Sequence, residues 1–110
     1  KEILQKVDQI NEHQTIYIAN FGHIGDGNIH VNIMYNDDPG QAELAESIVN
    51  KVMREVVAVG GTISGEHGIG NKKSQFMELE ISPKEMAIMK RFKNYFDPKG
   101  IMNPGKMFLE

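Results

Sequence analysis

Hydrophobic and polar residues are arranged along the chain with two different periods. In some stretches the apolar residues recur every three to four positions, which is typical of an amphipathic helix. In others, β-branched and aromatic residues cluster, which is typical of a strand. The patterns predict helices over residues 1–12, 41–59 and 83–95, and strands over residues 15–22, 29–35 and, more briefly, 62–64. The other segments predict turns, apart from a short helical segment beginning at Lys72.

The order of these elements predicts an α+β fold with a mainly antiparallel sheet. Between the first two strands, Asp26-Gly27 has the chemistry of a two-residue hairpin turn. A sheet of so few strands needs further strands or a packed helix layer to be stable. We therefore expect partner strands from residues upstream or from another chain. Self-association through an exposed sheet edge is one expected way of supplying them.

A turn at Asp26-Gly27 would place two histidines opposite each other. Counting outward from the turn pairs His23 with His30, and directly opposite Cβ atoms lie about 4.5–5.5 Å apart. The same face would carry Asn32, and the other face would be a core face made of Ile18, Ile24, Ile29, Val31 and Ile33. Two imidazoles at this separation can chelate one metal ion, although a strand histidine is more often a simple surface residue. His13 has no such partner and is expected at the surface.

The segment Gly65-Glu66-His67-Gly68-Ile69-Gly70 has three glycines in six positions, which argues against regular structure. Neighbouring residues on a strand point to opposite faces, but glycine permits backbone angles that could turn Glu66 and His67 towards one site. One glutamate and two histidines are a common ligand set for Zn²⁺, Mn²⁺ or Fe²⁺ with open coordination positions. A solvated loop is the alternative for this segment taken alone.

Composition narrows the class of protein. The chain has 110 residues, a formal net charge of -3 and no cysteine. The acidic balance argues against nucleic acid as a partner. The lack of cysteine excludes disulfides and thiolate metal sites and fits the cytoplasm. No apolar run approaches the roughly 20 residues of a transmembrane helix. The chain does not begin with methionine, which favours a piece of a longer protein.

Three segments together resemble the C-terminal region of FAD-linked oxidases, which are vanillyl-alcohol-oxidase-like flavoproteins. This group includes the glycolate oxidase FAD-linked subunit, D-lactate dehydrogenase and D-2-hydroxyglutarate dehydrogenase. The segments are FGHIGDGNIHVNI, SGEHGIGNKK and FDPKGIMNPGKMF, and the resemblance extends from about residue 15 to the end of the chain. It implies a ferredoxin-like antiparallel sheet with helices on one face, in the C-terminal part of a flavoenzyme cap domain. Residues 1–110 would be a fragment of that cap, and the FAD-binding domain of the parent protein would be absent from this chain.

The resemblance also implies roles for individual residues. The divalent metal (Zn, Mn or Fe) would be held by His23, His30 and Glu66. His67 would be the catalytic base, Asn32 would lie at the substrate, and Asn103 in the tail would contact FAD. The implied reaction oxidises a small 2-hydroxy acid to a 2-keto acid with hydride transfer to FAD. The parent protein would be cytoplasmic, or peripheral to a membrane if its complex associates with one.

Two other classes of function stay open on the residues alone. One is a stand-alone metal-binding or oligomerising domain without catalysis. The other is a small metallohydrolase that uses the His/His/Glu set to activate water, although the tail Asn103-Pro104-Gly105-Lys106 serves no evident hydrolytic purpose. Because the FAD-binding domain is missing, we expect the chain by itself to bind little FAD and to lack dehydrogenase activity.

Overall fold

The chain folds as helices packed on an antiparallel hairpin. A computed structural model describes the backbone of residues 1–11 and 16–109, and the side chains of residues 1–6 and 16–109. The elements in chain order are α1 (Glu2–Asn11), β1 (Tyr17–His23), β2 (Asn28–Met34), α2 (Pro39–Ala58), a 3₁₀ turn (Ser74–Phe76), α3 (Met77–Glu80) and α4 (Pro83–Phe96). The α+β class and the antiparallel sheet are confirmed.

Most of the predicted elements are confirmed, with bounds that differ by no more than two residues. The short helical segment expected from Lys72 is present but begins at Ser74. The strand predicted for residues 62–64 is wrong, since these residues follow an irregular path. The prediction for His13 falls outside the described residues. Among the described helices, none is both long and apolar enough to cross a membrane.

The hairpin packs against the helices through one face. Within the described residues the sheet has two strands, β1 and β2. Ile18 is buried in a cluster with α2, and Val31 and Ile33 of β2 pack against the same cluster. Helices α1 and α2 therefore cover one face of the sheet, as predicted. Ile24, expected in this core, is 68% exposed because it lies in the loop beyond the strand.

The register of the hairpin differs from the prediction. Phe21, and not His23, pairs with His30, while His23 pairs with Asn28. The predicted register was wrong by two positions because the strands are joined by a four-residue loop, residues 24–27, and not by a two-residue turn. Since side chains alternate between faces with period two, this shift leaves every residue on its predicted face. His23, His30 and Asn32 thus share one face, but His23 is diagonal to His30.

Gly22 lies where the backbone of the opposite strand leaves no room for a side chain. Its φ is +145°, and a Cβ added there would lie 2.5 Å from the backbone oxygen of Asn28. A side chain at this position would push the strands apart, so glycine is required at the base of the loop.

Helix α2 forms the centre of the fold because it carries two apolar faces. Ala45, Ile48 and Val52 are buried against the hairpin. On the opposite side, Val49, Met53 and Val57 pack against a second cluster, whose buried members are Ile63, Phe76 and Met77. The helix begins at Asp38, whose side chain accepts a hydrogen bond from the Gly40 N–H at 3.0 Å.

Helix α4 begins at the predicted Ser82-Pro83, and a capping box stabilises its N-terminus. The Ser82 hydroxyl accepts from the Glu85 N–H at 3.3 Å, and the Glu85 carboxylate accepts from the Ser82 N–H at 2.9 Å. Hydrogen bonds from Ser82 lower the pKa of Glu85. One side of α4 contributes Met86 and Met89 to the second cluster. The other side leaves an apolar stripe exposed, made of Ile88, Phe92, Tyr95 and Phe96.

The chain after α4 is held by a buried carboxylate. Asp97 accepts hydrogen bonds from the N–H groups of Ile101 at 3.0 Å and Met102 at 2.9 Å. Lys93 bonds to the same carboxylate and also donates to the Met102 carbonyl at 2.6 Å. Further along, the Met107 N–H donates to the Gly70 carbonyl at 2.5 Å. The tail, which is the segment after α4, therefore runs from Phe96 to the glycine-rich loop, residues 65–70.

Replacing Ile48 with alanine should destabilise the fold. Ile48 is 3% exposed at the contact between α2 and the hairpin, so the variant would leave a cavity there. Large-to-small changes of this kind cost about 2–5 kcal/mol of unfolding free energy. Urea denaturation measures the loss, with Ile24→Ala as the matched control at an exposed isoleucine. Equal unfolding free energies for the two variants would contradict the packing described for α2.

Asp97 should make the stability of the fold depend on acid pH. Its pKa is held below the ordinary value of 3.8 by the Lys93 hydrogen bond, against the opposing effect of burial. A depressed acid pKa stabilises the folded state above the unfolded pKa, and this contribution is lost as the pH falls through the folded pKa. We expect Asp97→Asn to be less stable than wild type at pH 7, and the difference to shrink below about pH 4. Urea denaturation at both pH values tests this, with the exposed Asp37→Asn as control; a difference that is independent of pH would contradict it.

Candidate functional site

Three ionisable side chains from two separate segments meet beside the hairpin. His30 comes from β2, whereas Glu66 and His67 come from the glycine-rich loop, residues 65–70. The Glu66 Oε1 atom lies 3.2 Å from His30 Nε2 and 3.3 Å from His67 Nε2. One carboxylate oxygen therefore faces two imidazole nitrogens.

The glycine-rich loop turns both of its polar residues towards this point, as predicted. Gly65 and Gly68 have φ values of +54° and +70°, which other residues rarely adopt. These angles allow the adjacent Glu66 and His67 to reach the same place, which a regular strand would not.

The loop is held at both ends by hydrogen bonds that the sequence pattern did not reveal. Before it, the Glu80 carboxylate accepts from the Ile63 N–H at 2.9 Å and from the Thr62 hydroxyl at 3.1 Å. The Lys73 ammonium donates to the Ser64 carbonyl at 3.3 Å. After it, Gly70 accepts from the tail at Met107. These contacts connect residues far apart in the chain, so no local motif signals them.

The His30 ring is enclosed by two other rings. Phe21, its partner across the hairpin, stacks on it with a centroid distance of 5.1 Å and an angle of 21° between planes. The His67 ring meets it edge-on, with centroids 5.3 Å apart. The His30 side chain is consequently 26% exposed, compared with 67% for His67 and 46% for Glu66. His30 is thus the more fixed imidazole, and His67 is the more accessible one.

The three side chains border an open cavity of about 980 Å³. Its walls come from β2, the C-terminal part of α2 and the glycine-rich loop, and Lys72 and Lys73 stand on one side. A cavity with imidazole, carboxylate and ammonium groups on its walls is suited to a small polar ligand.

The structure brings three of the six predicted site residues together, places a fourth at the cavity beside them and leaves two outside both. His23 is exposed on the same strand face but is not part of the His30–Glu66–His67 cluster. Asn32 is exposed on that face and borders the cavity. Asn103 lies in the tail with a φ of +47° and is not among the described residues that line the cavity.

The cluster contains a donor set that could hold a divalent cation. One ligand atom from each of His30, Glu66 and His67 lies within 4.8 Å of the others. Two imidazole nitrogens and one carboxylate oxygen are ligands that Zn²⁺, Mn²⁺ and Fe²⁺ accept, and they leave coordination positions open for a substrate. The chemistry of the residues present therefore fits such an ion.

The chain belongs to the family described as FAD linked oxidases, C-terminal domain, whose model matches residues 1–107. It is 46% identical over 110 residues to a D-2-hydroxyglutarate dehydrogenase of Stutzerimonas stutzeri, covering 96% of the chain and 24% of that protein. It is 37% identical over 105 residues to the glycolate oxidase subunit GlcD of Escherichia coli, covering 94% of the chain and 21% of that protein.

A third relative is a D-lactate dehydrogenase of Anaerostipes hadrus, 36% identical over 108 residues, with 96% of the chain and 23% of that protein covered. The chain therefore spans about a quarter of the length of the curated relatives it matches. The resemblance to FAD-linked oxidases that the motifs indicated is confirmed.

Proposed function

We propose that this chain is the C-terminal, substrate- and metal-binding part of a cytoplasmic FAD-dependent dehydrogenase of 2-hydroxy acids. The observation that carries the proposal is the meeting of His30, Glu66 and His67 at one cavity, in a chain of the FAD-linked oxidase family. The names of the three relatives all denote enzymes that act on 2-hydroxy acids. Lysine side chains on the cavity wall suit the carboxylate of such a substrate.

The metal would be held by His30 and Glu66 together with one further imidazole. We assign that third position to His23, which lies diagonal to His30 on the same strand face. Diagonal neighbours across an antiparallel pair are about 7–8 Å apart, so a change of side-chain rotamer would bring His23 within reach. This assignment leaves His67, the most exposed imidazole of the cluster, free for the substrate. The alternative is that His67 itself is the third ligand, as its present distance from Glu66 would allow.

Each residue of the site would then have its own role in oxidation of the substrate. A bound divalent ion supplies Lewis acidity, which lowers the pKa of a substrate hydroxyl, and FAD supplies the hydride acceptor. The exposed His67 imidazole accepts the hydroxyl proton, a role to which imidazole is suited near neutral pH. Asn32, on the face of His30, donates its amide N–H groups to the substrate. Phe21 keeps the His30 ring in one orientation by stacking on it.

The flavin-binding domain of the parent protein would pack on the exposed apolar surface of α4 and the tail. Ile88, Phe92, Tyr95 and Phe96 form a stripe on α4, and Ile101 and Met102 extend it into the tail. Contiguous exposed apolar residues mark interaction surfaces. Asn103 follows this stretch directly, which supports its proposed contact with FAD.

A second candidate function, a non-catalytic domain that binds metal or oligomerises, is favoured by a different surface. Tyr17, Phe21 and Met34 are exposed on the site face of the hairpin, where a second copy of the chain could cover them. The two candidates differ in the parent reading frame: an upstream FAD-binding domain supports the dehydrogenase, and its absence supports the non-catalytic domain.

The dehydrogenase proposal is tested by flavin reduction. The full-length protein is mixed anaerobically with glycolate, D-lactate or D-2-hydroxyglutarate, and the FAD absorbance is followed. We expect at least one of these acids to bleach the flavin in wild type, and His67→Gln to slow this by about 10²–10⁴-fold while the FAD content is unchanged. The 110-residue chain should show no turnover. Failure of every 2-hydroxy acid to reduce the flavin would overturn the proposal.

The identity of the third metal ligand is tested by metal content. Elemental analysis of the full-length protein compares His23→Ala, His30→Ala and His67→Ala with wild type, and His13→Ala serves as control. We expect the first two variants to lose the ion and His67→Ala to retain it. Loss of the ion from His67→Ala with retention in His23→Ala would make His67 the third ligand. Retention of the ion in all variants would show that these histidines do not bind the metal.

A further inference from the structure

A residue outside the proposed ligand set makes the shortest described contact to the Glu66 carboxylate. The Asn28 Nδ2 atom donates a hydrogen bond to Glu66 Oε2 at 2.8 Å, across 38 positions of sequence. A carboxylate is an acceptor only, so the amide must present its N–H₂ group to it. The Asn28 Oδ1 atom accordingly lies beside Gly65, 3.5 Å from where a Cβ on that residue would be.

This hydrogen bond divides the two oxygens of Glu66 between two tasks. Oε2 is engaged by Asn28, and Oε1 faces the imidazole nitrogens of His30 and His67 at 3.2 and 3.3 Å. A carboxylate without the Asn28 contact could rotate and exchange its oxygens, or turn into the solvent. Glu66 is 46% exposed, so its side chain has room to do so.

The position of Asn28 in the fold makes it a stable support. It is the first residue of β2, two residues before His30 on the same face, and it pairs with His23 across the hairpin. Its backbone oxygen lies against Gly22, where it occupies the place of a side chain. The Asn28 donor therefore lies on the paired strands, whereas the Glu66 acceptor lies on an exposed loop. The contact is also a hydrogen bond to an ionised group, which is stronger than one between neutral groups.

We propose that Asn28 is a positioning residue for the metal site: it holds Glu66 so that a single oxygen, Oε1, is presented to the ion beside His30. The inference rests on the proposed function, because it assumes that His30 and Glu66 bind a divalent metal. In this proposal Asn28 is not itself a ligand of the ion but acts through Glu66, and it also borders the cavity. Partners that orient a ligand in this way typically change metal affinity by about 10–100-fold when they are removed.

The test measures Zn²⁺ affinity of the metal-free full-length protein by competition with a chromophoric chelator. Asn28→Ala should weaken Zn²⁺ binding by about 10–100-fold. Asn28→Ser, which keeps a polar side chain at the start of the strand but is too short to reach Glu66, should weaken it equally. Asn94→Ala, at an exposed position of α4, is the matched control and should leave the affinity unchanged. The thermal unfolding of each metal-free variant shows whether it is folded.

A double-mutant cycle with Glu66 separates positioning from a general structural role. If Asn28 acts through Glu66, Asn28→Ala should not weaken the residual affinity of a Glu66→Ala protein further, because the carboxylate it orients is gone. An equal loss in both backgrounds would overturn the inference, and so would wild-type affinity in folded Asn28→Ala and Asn28→Ser. If both Asn28 variants keep wild-type affinity and Glu66→Ala loses Zn²⁺ binding, the inference about Asn28 is wrong but the proposed metal site is still supported. If wild type does not bind Zn²⁺, the metal site fails and the inference fails with it.

Discussion

The packing of α2 between two apolar clusters is the constraint on which the rest of the structure depends. One face of this helix positions the hairpin that carries His30, and the other positions the segment that follows it. The helix ends at Ala58, a few residues before the glycine-rich loop, and the Gly61 N–H bonds back to the Val56 carbonyl at 2.8 Å. Strand β2 and the glycine-rich loop are thus both positioned by packing around α2. Residues separated by more than thirty positions, such as His30 and Glu66, are brought together because each is connected to this helix.

The site itself is organised around one carboxylate that several parts of the chain approach. Asn28 and His30 reach it from the strand and His67 from within the loop. The loop would be free to move without the anchors from Glu80, Lys73 and the tail. The loop therefore carries exposed polar side chains on a fixed backbone, which is the usual arrangement where a loop on a rigid scaffold carries function. The cavity stays open on one side, and the apolar stripe on α4 is exposed.

The sequence predicted the parts of this arrangement that depend on local pattern. Helix and strand bounds follow from periodicity, and the face of each strand residue follows from alternation, so His30 and Asn32 were placed correctly on one face. The convergence of Glu66 and His67 followed from the glycines around them. The register was wrong because Asp26-Gly27 suits a tight turn, whereas the close approach at Gly22 is a contact between strands that no local pattern reveals. The Asn28–Glu66 bond was missed because it depends on both that register and the path of a distant loop.

The hairpin joins a position without room for a side chain to a tip where the surrounding space is open. At Gly22 the backbone of the opposite strand occupies the place of a side chain, whereas nothing lies within 4 Å of a Cβ built on Gly25 or Gly27. A side chain at Gly25 would therefore meet no other atoms, whereas at Gly27 the φ of +76° would strain any other residue. A small reporter group attached at position 25, which does not line the cavity, should therefore leave His30 in place on the strand.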